Sequence, residues 1–311
     1  MYEKFFGFKE KPFDITPDPK FVYLTETHKE ALAHLRYAIK EGKGFSVITG
    51  EVGTGKTTLV HTLLNKMEES VRTAYIFNPV MDPDDFLNYI CEDLGVKLDG
   101  SKSRGHSLSL LHNFLLNCYS QNERVFLIID EAQSLDKKLL EEVRLLTNLE
   151  TSKNKLLHVI LLGQPELNKT LADSHFRALK QRITTRYHLS TLSLSDTKEY
   201  ILYRMKKAGA RNLSIFDNGA IKAIYKYSKG IPRLINIVCD NALLTGFAQE
   251  QSRITKPIIR EVIKDLEGSR VVKKRRFFPM RLLILIILLC ASIFLSLLSS
   301  NHSEIWKYLR I

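Results

Sequence analysis

The stretch "VITGEVGTGKTTLV" constrains this chain more than any other. An apolar strand pattern, "GFSVITG", leads into Gly50, Glu51, Val52, Gly53, Thr54, Gly55, Lys56, Thr57 and Thr58, and a helix is expected to begin near Thr57. Gly50, Gly55, Lys56 and Thr57 stand at the fixed places of G-x-x-x-x-G-K-[ST]. Glycines let backbone N–H groups curl around phosphate oxygens without Cβ clashes, and the helix start adds its positive end. Lys56 is placed to reach β- and γ-phosphates and Thr57 to ligate Mg²⁺, so all nine residues form a candidate nucleotide site. The match sits where such a turn should, after a strand and before a helix, which reads as a nucleotide site rather than an ordinary Gly-rich turn.

A second strand pattern, "VFLIIDEAQ", ends in Asp130 and Glu131. An acid delivered to the same sheet edge can hold Mg²⁺, through water, together with Thr57. Glu131, directly after it, can orient and deprotonate an attacking water. Gln164 closes the strand "HVILLG". It either holds that water against the γ-phosphate or only turns the chain into Pro165. In "KGIPRLIN", Pro232 opens a helix with Arg233 just inside it. That arginine either reaches the phosphates or caps its helix toward a surface acid. "ALKQRITTRYHL" carries Arg182 and Arg186 before the last strand. Arg182, at a helix end facing away from its own site, suits an arginine finger acting on a neighbouring subunit, with Arg186 as a structural pair.

Apolar runs at "GFSVITG", "TAYIF", "VFLIID", "HVILLG" and "RYHLS" alternate with helical patterns near 84–94 and 107–119, and with "SLDKKLLEEVRLLTNLE", whose leucines at helical spacing read as core packing. After Ser193 only helices are expected, at about 195–208, 217–227, 232–248 and 256–267. The expected organisation is a Pro- and aromatic-rich lead and helix (1–43), the sheet domain (44–193), a small all-α lid (194–268), a basic linker (269–281), an apolar helix (282–300) and a short tail (301–311).

The net charge of +12 is unevenly spread: half of the excess sits in Arg270, Lys273, Lys274, Arg275, Arg276 and Arg281, within twelve positions that hold no acid. This weakens a nucleic-acid footprint and builds a collar before residues 282–300. Those nineteen residues hold serine as their only polar type. As a helix they extend roughly 28 Å, a membrane's hydrocarbon thickness. The basic collar on one side, against Lys307 and Arg310 on the other, orients the folded part toward the cytoplasm. Four cysteines without CxxC spacing suit a reducing compartment, and the charged, aromatic N-terminus is not a signal peptide. His28 and His34, six apart, read as surface or packing residues.

Taken together, the phosphate loop, the Asp130–Glu131 strand, Gln164, Arg182 and the Gly230–Arg233 lid resemble the AAA+ ATPases. "FFGFKEKPFDITPDPKFVYLTETHKEALAHLRYAI", "IDEAQSL" and "LLGQPEL" are similar to the ExeA/GspA-type general-secretion ATPases, and the resemblance covers roughly 1–268. It implies an α/β P-loop AAA+ sheet with helices on both faces, an all-α lid and one C-terminal transmembrane helix. It also implies ATP with Mg²⁺, ATP hydrolysis, an ATP-dependent ring or oligomer, and a bacterial inner-membrane location with a cytoplasmic ATPase domain. A membrane-bound envelope partner and a role in secretion, pilus or polysaccharide export follow from the same resemblance. Longer members continue into a peptidoglycan-binding domain, whereas only "NHSEIWKYLRI" follows here, so direct wall contact is not expected. The same ATPase unit resembles DNA-associated transposition regulators of the TnsC type. The twelve or so residues between lid and apolar run leave no room for the DNA-binding module that such regulators commonly carry after the lid.

Overall fold

The computed structural model describes residues 1–16, 18–41, 43–67, 70–98 and 103–270. Five strands, β1 (Phe45–Gly50), β2 (Val71–Ile76), β3 (Arg124–Ile129), β4 (Leu157–Gly163) and β5 (Thr185–Leu189), form one sheet of order β2-β3-β4-β1-β5. Every pairing is parallel. The three inner strands are buried almost throughout, while β2 and β5 are only partly buried. This is why the inner strands read as unbroken apolar runs: helices cover both of their faces.

On one face lie α2 (Glu26–Lys40) and α3 (Lys56–Leu64), preceded in the chain by the short α1 (Tyr2–Phe6). Leu35 of α2 and Leu59 of α3 pack on Ile48, Phe126, Ile128 and Ile160. The opposite face is covered by α4 (Pro83–Asp93), α5 (Arg104–Ser120), α6 (Lys137–Leu146), α7 (Glu166–Ala172) and α8 (Arg177–Arg182). Phe86, Leu111, Val143 and Leu167 from these helices meet Val47, Leu127, Ile129, Val159 and Leu161. Consecutive strand residues thus enter opposite cores, as the two-residue pleat requires. The helix expected over 134–150 is shorter, because the Asp136 carboxylate accepts the Leu139 N–H at 2.8 Å and caps α6 there. Leu135, outside the helix, is still buried.

Four helices follow: α9 (Leu194–Lys207), α10 (Asn218–Ser228), α11 (Pro232–Ala248) and α12 (Lys256–Arg270). Ser193 and Asp196 form a capping box that starts α9. A first compact unit runs from Met1 to Arg260, and α12 continues into a second that begins at Glu261. The basic linker from 271 onward, the expected transmembrane helix over 282–300 and the tail at 301–311 lie outside the described residues. Among the described residues no helix is long and apolar enough to cross a membrane.

The N-terminal lead divides between the two helical surroundings. Residues 2–14 pack on the lid. The Tyr2 hydroxyl donates to Asp240, Lys9 N–H donates to Ala208 O at 2.8 Å, and Phe13, wholly buried, meets Phe216 edge-on at 5.9 Å. Arg204 of α9, itself buried, donates to Pro12 O at 2.6 Å, Asp14 O at 3.2 Å and the Tyr200 hydroxyl at 2.9 Å. These bonds supply what a buried guanidinium needs, and the Phe21 ring lies 4.9 Å from it. By contrast α2 belongs to the sheet, where the Tyr187 hydroxyl of β5 donates to Thr27 O at 2.7 Å. The described chain therefore passes between sheet and lid before α2 and again at 190–193. Phe13→Ala should cost about 3–5 kcal/mol, read as a lower denaturation midpoint with the m-value unchanged.

Candidate functional site

Because β3, β4 and β1 are consecutive in the sheet, the segments leaving their C-terminal ends share one edge, where open parallel sheets bind ligands. β1 delivers residues 51–55, β3 delivers Asp130 and Glu131, and β4 delivers Gln164. A cleft of about 830 Å³ opens there, walled by the phosphate-loop turn, residues 14–16 and 18–24 and the start of α11. That is ample for a nucleotide-sized ligand.

Lys56 opens α3 and is only 6% exposed. Its ammonium donates to Gly50 O at 2.9 Å and Glu51 O at 3.1 Å, so the loop carbonyls hold the charge at the base of the turn. Burial pushes the Lys56 pKa down, while Asp130, Glu131 and Glu51 pull the other way. Thr54 is buried, with its hydroxyl on Glu51 O at 2.8 Å. Glu51 and Val52 face solvent, and Thr57 and Thr58 are half-buried. The amides at the start of α3 have no intrahelical acceptor and carry the positive end of its dipole, an arrangement that favours phosphate.

The Asp130 carboxylate is held from both sides. Its Oδ2 accepts from the Thr57 hydroxyl at 2.7 Å and the Tyr75 hydroxyl at 3.0 Å. Its Oδ1 accepts from the Glu131 N–H at 2.8 Å. A threonine hydroxyl beside a carboxylate is a hard oxygen donor set that fits Mg²⁺. Burial, with Asp130 adding to it, pushes the Tyr75 hydroxyl pKa up. The His61 ring of α3 stacks on Tyr75 at 5.6 Å and an interplanar angle of 5°.

Glu131 adopts left-handed backbone, with φ at 50°. Its Oε2 accepts from the side-chain amides of Gln133 at 2.5 Å and Gln164 at 3.2 Å. The structure thus brings Asp130, Glu131, Gln164, Lys56 and Thr57 to one edge. Arg233 joins them from the lid: its N–H donates to Gly53 O at 3.3 Å, and its exposed side chain borders the cleft. Gly53, at φ 82°, leaves no room for a side chain, since a Cβ there would lie 2.6 Å from Arg233 Cβ. Gly230 faces a similar limit at the second sheet–lid crossing, where a Cβ would lie 1.9 Å from Leu192 O.

Arg182 is not at the cleft. Its guanidinium donates to the Thr147 hydroxyl at 2.9 Å and reaches Arg144 O at 3.5 Å, beside the C-terminal end of α6. Arg186, expected as its structural pair, lies exposed on the edge strand β5 and has no ion pair among the described residues.

Three contributors to the cleft escaped sequence reasoning. Residues 14–16 and 18–24 form a wall whose Phe21 and Tyr23 signal burial without saying against what. Tyr75 lies in a strand pattern, where a tyrosine counts as packing. His28 was expected as a surface or packing residue; it is buried, bonded through Nδ1 to the Thr25 hydroxyl at 2.5 Å, with Nε2 3.9 Å from where a Cβ on Gly55 would sit. Burial pushes its pKa down.

Residues 39–171 match an AAA domain family. Over 270 residues the chain is 43% identical to general secretion pathway protein A of Aeromonas hydrophila, an alignment that takes in 87% of this chain and 49% of that protein. The chain is an AAA ATPase that is similar, over most of its length, to general secretion pathway protein A. It spans about half the length of that relative. The AAA ATPase fold is shared with the Aeropyrum pernix ORC1 protein in complex with DNA, at TM-score 0.63 and 15% identity, over 90% of this chain and 76% of that one. The ORC2 protein of the same organism, in its ADPNP–ADP complexes, matches at TM-score 0.59 and 17% identity, over 82% and 71%. The Thermotoga maritima RuvB Holliday junction branch migration motor matches at 0.52 and 20%, over 78% and 69%. At such identities the likeness is one of fold.

In this AAA ATPase, Gly53→Ala should strain the turn and push the lid off it. A stability loss of at least about 1–2 kcal/mol is expected from the left-handed backbone alone, with weaker binding of a fluorescent ATP analogue by titration.

Proposed function

We propose that this AAA ATPase is a membrane-anchored motor that couples ATP binding and hydrolysis to the assembly or operation of a cell-envelope secretion complex. The observation that carries this reading is the 43% identity to a general secretion pathway protein across 87% of the chain. The anchor is residues 282–300, supported by their uncharged apolar sequence and by the basic collar before them, which keeps the ATPase on the cytoplasmic side of a bacterial inner membrane. Partners in this reading are further copies of the chain in an ATP-dependent ring and a membrane-bound envelope protein.

At the nucleotide, Lys56 and the amides of residues 52–58 bind the phosphates of ATP. Thr57 and Asp130 would hold Mg²⁺, which when bound neutralises charge on the β- and γ-phosphate oxygens. Glu131 takes the proton of the attacking water, and Gln164, already hydrogen-bonded to it, helps to orient that water. Arg233 carries the state of the phosphates to α11 and so to the lid. Arg182 acts as the finger toward a neighbouring subunit, which requires it to leave Thr147 when subunits meet.

Lys56→Ala should abolish nucleotide binding in a fluorescence titration. Glu131→Gln should still bind ATP while phosphate release falls by about 10²–10⁴-fold. Arg182→Ala should hydrolyse poorly alone and recover when mixed with Lys56→Ala subunits; failure to recover would argue against a finger acting between subunits. The decisive experiment is recovery of the full-length Glu131→Gln protein from its native membranes with ATP, followed by mass spectrometry. Envelope components support the reading. DNA-transaction proteins without any envelope component would replace it with a DNA-associated regulator of the transposition type.

A further inference from the structure

Gln133 lies in the 3₁₀ turn Ala132–Ser134 that follows β3, two residues beyond Glu131. Both ends of its amide are used. Its Nε2 donates to Glu131 Oε2, while its Oε1 accepts the Gln164 N–H at 2.9 Å, at the end of β4. The Gln164 side chain closes the triangle by donating to the same Glu131 Oε2 at 3.2 Å. One glutamine therefore bonds directly to the end of β4, through the Gln164 N–H, and to Oε2 of Glu131 beyond the end of β3. Among the described residues the other oxygen, Oε1, has no hydrogen-bond donor, and Glu131 borders the cleft.

The backbone adds a second reason for the tie. Glu131 holds φ 50° and ψ 37° without being a glycine. Such a conformation costs on the order of 1–2 kcal/mol and persists only where surrounding contacts over-determine it. Two amides on one carboxylate oxygen supply that constraint: they fix the side chain's rotation and aim its remaining oxygen. A base whose lone pair is misdirected loses rate without losing affinity for substrate.

We propose that Gln133 is a positioning residue: it locks Glu131 Oε2 to the terminus of β4, so that Oε1 faces the attacking water and its aim follows any movement of Gln164. The proposal rests on the reading of Glu131 as general base. Gln133 itself touches neither nucleotide nor water in this account and acts only through Glu131 and Gln164. A shift of β4 then re-aims the base directly.

The test is a set of steady-state measurements on the full-length protein, with fluorescent-nucleotide binding and thermal melting in parallel. Gln133→Met keeps the side chain's length while removing both hydrogen bonds. Expected is a fall in kcat of about 100-fold, with KM for ATP and nucleotide affinity within about twofold and the melting temperature preserved. In a Gln164→Ala background the further loss should shrink to a few-fold, since residues acting as one unit are not additive. In a Glu131→Gln background Gln133→Met should cost nothing more. An unchanged kcat in Gln133→Met, a loss confined to KM, or fully additive losses with Gln164→Ala would each overturn the positioning role, provided that Glu131→Gln is slow. If Glu131→Gln turns over normally, the base assignment fails, and the Gln133 proposal falls with it.

Discussion

The parallel pairing of β4 between β1 and β3 is the constraint on which the site depends. Each of these strands is buried on both faces, so its register is set by two cores at once, and a slip of one residue would exchange the side chains entering each. With register held, the chain segments at the three C-terminal ends arrive at fixed separations. The phosphate-loop turn leaves β1, the paired acids leave β3, and Gln164 leaves β4. No loop has to search for its partner: the Thr57–Asp130 and Gln164–Glu131 hydrogen bonds join groups that the sheet has already delivered.

The lid is joined to this edge through backbone rather than through long side chains. Arg233 N–H bonds to Gly53 O, and the two residues approach so closely that only glycine fits in the turn. A change in the turn's shape must therefore displace the first residues of α11. The same strand-end logic makes Glu131 sensitive to β4, because its carboxylate is tied there by two amides. Both couplings work over one or two bonds, which leaves little slack between nucleotide-facing groups and the elements around them.

Much of this was legible in the chain itself. The inner strands announced themselves as unbroken apolar runs because both faces are covered, and the strand signals end after Ser193, where four helices follow. The candidate site was legible where a motif carries its own chemistry, as at Lys56, Thr57, Asp130 and Glu131. It was illegible where a residue's importance comes from where its neighbour happens to lie. Gln133 reads as an ordinary polar residue in a turn until β4 is seen beside it. Tyr75 reads as strand packing until Asp130 is placed at its hydroxyl, and His28 as a surface or packing residue until Gly55 comes within reach of its ring. The interaction of Arg182 with Thr147 was likewise invisible, since residues so far apart in sequence meet only through the packing of α8 on α6. The destination of residues 2–14 depends on helices encoded some two hundred residues later, and local pattern carries no trace of it.

That last arrangement bears on how the chain acquires its structure during synthesis. Phe13 needs Phe216, Tyr2 needs Asp240, and the Pro12 and Asp14 carbonyls need Arg204. On the ribosome the sheet can assemble once β5 has emerged, yet the N-terminal segment must wait, its aromatic rings uncovered, until the lid helices follow. Closing contacts across so much chain is slow, and exposed apolar surface invites aggregation in the interval. Residues 2–14, synthesised before the helices that cover them, thus find their place only when those helices are present.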